Sequence, residues 1–245
     1  MNEPDLVAGS IRLWRVPAKV EVIIEPVPPV AADAHVEHVW ARLCAANPKL
    51  HDGPILSVTS FDPGAGRIWC KPDRYKRLAV QVDGGPETGV CLFAVKGIIT
   101  ALDHTSLRRV LMIRRHEHTR MYGGMWELGP AGGFDMLDSS AGLLGMDDLL
   151  VQIRKELREE AGISSPLANA SLAAFFTDER AHSMDVVIQA ELEEKIEQLR
   201  IQERDWDGAA TLWLPVDDVE QFVEKERAKI ADNTIGLMQL MGWIQ

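Results

Sequence analysis

The most restrictive stretch of the chain runs from Asp147 to Gly162, Asp-Asp-Leu-Leu-Val-Gln-Ile-Arg-Lys-Glu-Leu-Arg-Glu-Glu-Ala-Gly. Leu149, Ile153 and Leu157 recur at helical spacing, so one stripe can face a core, and Gly162 is a natural stop. The pattern predicts a helix from Asp147 or Asp148 to Ala161. Glu156, Glu159 and Glu160 stand at i, i+3 and i+4 on another face of that helix. Carboxylates this close repel one another and weaken the helix unless a cation lies between them. Such hard oxygen ligands suit Mg²⁺, for which Mn²⁺ can substitute. A lone Glu-rich turn reads as a solvated face. Here, however, Trp126-Glu-Leu-Gly-Pro-Ala-Gly-Gly133 precedes it, a tight loop whose backbone can approach a ligand or metal closely.

The flanking texture places that helix among strands. Asp33 to Ala46 reads as a helix capped by Asp33, with Val36, Val39, Trp40 and Leu43 as its apolar stripe. β-Like runs follow at 55–61 and 67–70, then at 89–101 and 108–115, and again at 171–177, 185–190 and 209–214. Helical segments around 217–227 and 231–241 close the chain. Strands surrounding one central helix predict an α/β (α+β) sandwich. The turn-rich segment Asp83-Gly-Gly-Pro-Glu87 suggests an N-terminal α+β subdomain over 1–85 and a main domain over 86–245.

Composition narrows the function classes. With 26 basic and 37 acidic residues the net charge is −11, which argues against a nucleic-acid or anionic-membrane binder. A small phosphorylated ligand stays admissible, because one divalent cation reverses the local sign. Three cysteines, Cys44, Cys70 and Cys91, form no CxxC pair, and no basic-apolar leader opens the sequence, so a reducing, cytoplasmic setting is expected. Serine-hydrolase elbow, P-loop and GxGxxG signatures are absent. His35-x-x-His38 and His116-x-His118 lack a third ligand nearby in sequence and read as solvent-facing histidines.

The glycine loop and acidic helix together resemble the Nudix hydrolases. Their box runs glycine, five residues, glutamate, seven residues, then Arg-Glu-aliphatic-x-Glu-Glu-x-Gly-aliphatic. Residues 155–163 match every specified position of the second half except the arginine, which is Lys155. Asp147 stands where the family has its first glutamate, and Gly133 where it has the glycine. The two are separated by residues 134–146, an insertion relative to the family spacing. The resemblance implies a Nudix α/β/α sandwich with an N-terminal extension, and hydrolysis of a nucleoside diphosphate linked to another group. It implies that Glu156, Glu159 and Glu160, with the Gly132 carbonyl, hold Mg²⁺, and that Lys155 takes the place of the arginine that orients the glutamates. Lysine keeps the charge but loses the planar fork. A general base from a later loop would come from Asp178, Glu179 or Glu203, each of which taken singly reads as surface charge. Arg114, Arg115 and Arg120 would hold phosphate oxygens, although each alone reads as a strand-end or surface arginine.

A looser resemblance covers nearly the whole chain. The Trp40 helix, Asn47-Pro-Lys-Leu-His-Asp-Gly-Pro54, Tyr75-Lys76, the interrupted box and Trp213-Leu-Pro215 are laid out like the atypical Nudix proteins that cleave UDP-glucose and UDP-galactose. That layout implies UMP and a sugar 1-phosphate as products, Tyr75 stacking on uracil and Lys76 meeting a phosphate. Tyr75 also reads as a core or hinge aromatic, and Trp40 and Trp213 as core. The expected partner is a small-molecule substrate, without nucleic acid or membrane, and a homodimer is admitted. The rival readings are another nucleoside diphosphate substrate, ADP-ribose or a dinucleotide, and a non-catalytic regulator that binds a nucleotide sugar.

Overall fold

A computed structural model describes residues 3–16, 19–26, 31–134, 142–202 and 208–245. The predicted central helix is α3 (Met146–Ala161). Its start is set by Asp148, whose carboxylate accepts the Gly145 N–H at 2.9 Å. At its end Gly162 adopts φ +70°; its N–H donates to the Arg158 carbonyl at 3.0 Å, and the Ile163 N–H donates to Leu157 at 3.2 Å. A left-handed cap of this kind is open to glycine at little cost.

The strands are β1 (Leu6–Ala8), β2 (Ile11–Arg15), β3 (Glu21–Ile24), β4 (Pro54–Asp62), β5 (Arg67–Arg74), β6 (Leu92–Leu102) and β7 (Arg108–Arg115). They continue as β8 (Trp126–Leu128), β9 (Ala131–Gly133), β10 (Leu143–Leu144), β11 (Leu167–Asp178), β12 (Ser183–Leu192) and β13 (Gly208–Pro215). All belong to one sheet, in the order β1-β2-β11-β12-β6-β4-β5-β3-β10. β6 is the branch point: its far end pairs with β7 at Thr100–Leu102, while Ala94, Val95 and Lys96 pair with β9. β7 in turn carries β8 and β13.

Apolar alternation along β6 feeds two cores, one on each face of the sheet. Phe93, Val95 and Ile99 pack with Leu149, Ile153 and Leu157 of α3. Ile98 packs in a second cluster that includes Val219 and Val223 of α4 (Val219–Glu226) and Ile235, Leu237 and Met238 of α5 (Asp232–Leu240). The result is the expected mixed α/β sandwich. No helix among the described residues is long and apolar enough to cross a membrane.

Several elements extend the sequence reading. Asp33 caps α1 (Ala34–Ala46) as expected, its carboxylate accepting the His35 and Val36 N–H groups at 2.8 and 3.3 Å. The strands β1 to β3 and the helix α2 (Tyr75–Val82) were not predicted, since they are short and draw their stability from distant partners. β2 pairs with β11, and β3 lies between β5 and β10. β11 is longer than the predicted 171–177 because β12 and β2 extend its pairing from both sides. Of the insertion, residues 135–141 lie outside the described set. Phe134 packs on Phe93, and Leu143–Leu144 pair with β3.

Replacing Leu157, which is 1% exposed, by alanine should cost about 2–5 kcal/mol of stability in denaturant unfolding. Val151→Ala, on the solvent side of the same helix, should stay within about 0.5 kcal/mol.

Candidate active site

The acidic face of α3 docks on the short loop that joins β8 to β9. The Ala131 N–H donates to Glu160 Oε2 at 3.0 Å. Gln152 Nε2 bridges the two elements, donating to the Gly133 carbonyl at 3.1 Å and to Glu156 Oε1 at 2.7 Å. Contact at Gly132 is closer still. A Cβ placed on Gly132 would fall 2.2 Å from the Glu156 carboxyl carbon and 2.2 and 2.5 Å from its oxygens. Only bare backbone can occupy that position with Glu156 where it stands.

Glu156 and Glu160 are therefore brought together with Gly132, whereas Glu159 turns toward Lys155 at 3.6 Å and Arg158 at 3.7 Å. Among the described residues no group of three or more His, Cys, Asp or Glu side chains stands ready to hold a metal. Burial pushes the Glu160 carboxyl up to about 8, with the Glu127 anion adding to the shift and Arg115 opposing it; Glu156 raises it further, against the Ala131 N–H. Buried Glu160 and half-buried Glu156 set against glycine backbone make an oxygen-donor environment. Its chemistry fits a small hard divalent cation.

Beneath the loop lies a charge cluster that the sequence reading missed. Glu127 is buried, with Lys96 Nζ 2.7 Å from Oε2 and Arg115 NH1 2.7 Å from Oε1. Burial by itself would raise the Glu127 carboxyl; the Lys96 and Arg115 cations outweigh it and hold the group low. Lys96 Nζ also donates to the Leu128 carbonyl at 2.9 Å. The signal was present as a lone lysine in the otherwise apolar run of β6, since a fully buried lysine needs a partner. Nearby, burial pushes the Asp185 carboxyl up to about 7; Lys96 opposes the shift, while Asp178 and Glu127 reinforce it.

The remaining candidates are distributed over several places. Arg115 is engaged by Glu127, and Arg114 Nε donates to the Gly124 carbonyl at 2.9 Å. Tyr75 packs edge-on against Trp40, and Lys76 pairs with Glu37 at 2.5 Å and Asp52 at 3.7 Å. Trp40 and Trp213 are partly buried against apolar clusters. Asp178 corrects its reading as surface charge. It is buried, accepts from the Tyr122 hydroxyl, and takes the Arg180 and Ala181 N–H groups at 2.9 and 3.1 Å. Backbone satisfaction of this kind pins a turn, and no local sequence pattern announces it. Glu179 does lie on the surface, paired with Arg12, and Glu203 falls outside the described residues. Arg120 and Asp147 are exposed. His35, His38 and His118 are exposed as expected, while His116 is partly buried. Together with Asn47, Pro48 and Lys49, His116 and His118 line a cavity of about 590 Å³.

Comparison with known proteins adds a family. The model of the NUDIX domain matches residues 94–234, more than half of the chain. Among solved structures, the chain is similar to the NUDIX domain of Shewanella oneidensis NrtR complexed with ADP ribose. That match has 18% identity and a TM-score of 0.40, covering 62% of this chain and 86% of that one. It is also similar to a bifunctional NMN adenylyltransferase/ADP ribose pyrophosphatase from Francisella tularensis, at 16% identity and a TM-score of 0.46, covering 68% of this chain and only 44% of that one. A third likeness is to a NUDIX hydrolase from Alicyclobacillus acidocaldarius, at 12% identity and a TM-score of 0.42, covering 62% and 90%. No curated protein matches the chain.

The Asp185 environment sets a pH dependence. Between the unfolded value of about 4 and the folded value of about 7, the folded chain keeps a proton that the unfolded chain has lost. Its contribution to stability is present below pH 4 and is lost as pH rises through 7. Asp185→Asn should flatten the stability profile over that window, with a relative gain on the order of 4 kcal/mol at its upper end. Urea unfolding at several pH values checks this; parallel profiles for the two proteins would refute it.

Proposed function

The chain belongs to the Nudix family of hydrolases, and on that premise we propose that it is a Mg²⁺-dependent pyrophosphohydrolase of nucleotide sugars, with a UDP-hexose as substrate. The observation that carries the hydrolytic part is the seating of Glu156 and Glu160 against Gly132 and the Ala131 N–H. In this reading Glu156 and Glu160 hold the cation together with the Gly132 carbonyl, and Glu159 joins them from its place beside Lys155. Mn²⁺ serves as a substitute. When bound, the ion would neutralise the diphosphate and make a nearby water more acidic. The chain's own groups orient the substrate and take up the proton that a water loses as it adds to phosphorus. The bridging P–O bond then breaks, leaving UMP and a sugar 1-phosphate.

Lys155 stands beside Glu159, and in this reading Arg114 and Arg115, which now hold the Gly124 carbonyl and Glu127, would meet phosphate oxygens. The substrate assignment draws on the N-terminal part. Residues 1–85 act in this reading as a substrate-shaping subdomain, with residues 86–245 as the hydrolase domain. Two features support it: β3 pairs with the end of the insertion at Leu143–Leu144, and residues 47–49 meet His116 and His118 across the cavity. About 590 Å³ lies within the roughly 300–1,000 Å³ of small-molecule sites. Tyr75 and Lys76 would meet the uracil and a phosphate from α2. Cys44, Cys70 and Cys91 are free thiols, in keeping with a reducing, cytoplasmic setting.

A panel of UDP-glucose, UDP-galactose, ADP-ribose and a dinucleoside polyphosphate, assayed with Mg²⁺ for released nucleoside monophosphate, tests the assignment. The UDP-hexoses should lead in kcat/KM by about tenfold or more, equivalent to about 1.4 kcal/mol of transition-state discrimination. A lead for ADP-ribose or the dinucleotide would overturn the substrate. Tight UDP-sugar binding without turnover under Mg²⁺ or Mn²⁺ would make the chain a regulator.

A further inference from the structure

Lys96 stands where two segments of the site are tied together. Its backbone lies opposite Ala131 in the β6–β9 register, and the next residue, Gly97, donates its N–H to the Pro130 carbonyl at 2.7 Å. Its side chain runs to the preceding strand. Nζ reaches Glu127 Oε2 at 2.7 Å and the Leu128 carbonyl at 2.9 Å. One residue thus grips the loop from both sides, at 127–128 through its ammonium and at 131 through its backbone. Leu128 is anchored again from outside, its N–H donating to Thr234 Oγ1 at 3.0 Å.

The consequence is felt on α3. Ala131, paired with Lys96, gives its N–H to Glu160, and the next residue, Gly132, is the one that Glu156 covers. We infer that Lys96 is a positioning residue of the hydrolytic site: by clamping Glu127 and Leu128 it sets where Ala131 and Gly132 stand against Glu160 and Glu156. The inference rests on the hydrolase reading for its catalytic consequence only. Lys155 is placed differently. It is about a third exposed and lies 3.6 Å from Glu159. Lys96 is 2% exposed, so removing its ammonium leaves the buried Glu127 with Arg115 as its remaining cation.

The test uses the full chain with two readouts, one of which needs no substrate. In Lys96→Met, residue-resolved hydrogen exchange should show the Ala131 N–H exchanging at least about tenfold faster than global destabilisation accounts for, with Val219→Ala in the opposite core as the reference. In turnover, kcat should fall at least about tenfold with KM within about threefold. Lys96→Met/Glu127→Gln removes both members of the buried pair and guards against a single variant that does not fold. Stability should return in the double variant, while Ala131 exchange and kcat stay impaired. Full recovery of both would show that Lys96 only neutralises Glu127, and would overturn the inference. A rise in KM at unchanged kcat would overturn it as well, assigning Lys96 to substrate binding. If the wild-type chain cleaves no diphosphate, the hydrolase reading fails, and the exchange measurement still decides whether Lys96 positions the loop.

Discussion

Helix α3 has to satisfy two opposed demands within a few turns, and the rest of the site follows from how it does so. Its apolar stripe, Leu149, Ile153 and Leu157, is locked into the core beneath the sheet. That docking fixes the helix rotation, and the rotation carries Glu156 and Glu160 onto the β8–β9 loop rather than into solvent. Carboxylates brought that close to a low-dielectric interior need either protons or cations. The loop answers with what a side-chain-free backbone can offer: one N–H for Glu160 and open room at Gly132 for Glu156.

Below the loop the same problem is solved with fixed charges. Glu127 is buried between Lys96 and Arg115, and removal of one partner from such a group is far costlier than the net worth of the pair. The buried set is accordingly better suited to holding geometry than to adding stability. Asp185 and Asp178 extend it toward β11 and β12, where Asp178 serves the backbone of the turn that joins them. Acidic groups with unlike environments thus lie close together: Glu127 held ionised by cations, Glu160 and Asp185 pushed toward their protonated form by burial.

The sequence was most informative where structure is decided locally. Helix α3, its Gly162 stop, the Asp33 cap and the strand Arg108–Arg115 were all readable from spacing and capping chemistry. The acidic face and the glycine loop were readable for the same reason, and their combination identified the family that the domain match supports. What escaped depends on partners remote in the chain. Strand β2 exists because β11 lies beside it, and Asp178 is buried because Tyr122 and the 180–181 backbone close over it. Glu159 shows a further limit. Helical spacing puts it beside Glu156 and Glu160, and it also has Lys155 at 3.6 Å and Arg158 at 3.7 Å. A periodicity argument identifies a face and leaves open which competing partner each side chain takes.

The central claim is that the α3 acids and the bare backbone at Gly132 together form a divalent-cation site. Mn²⁺ titration followed by water-proton relaxation tests it directly, comparing the wild-type chain with Gly132→Ala and Gly145→Ala. A Cβ at Gly132 collides with the Glu156 carboxylate, whereas a Cβ at Gly145 meets nothing within 4 Å. Gly132→Ala should weaken Mn²⁺ binding by at least about tenfold, in line with losses seen when the support of metal ligands is disturbed. Gly145→Ala should bind as the wild type does. Equal binding by all three proteins would contradict the claim.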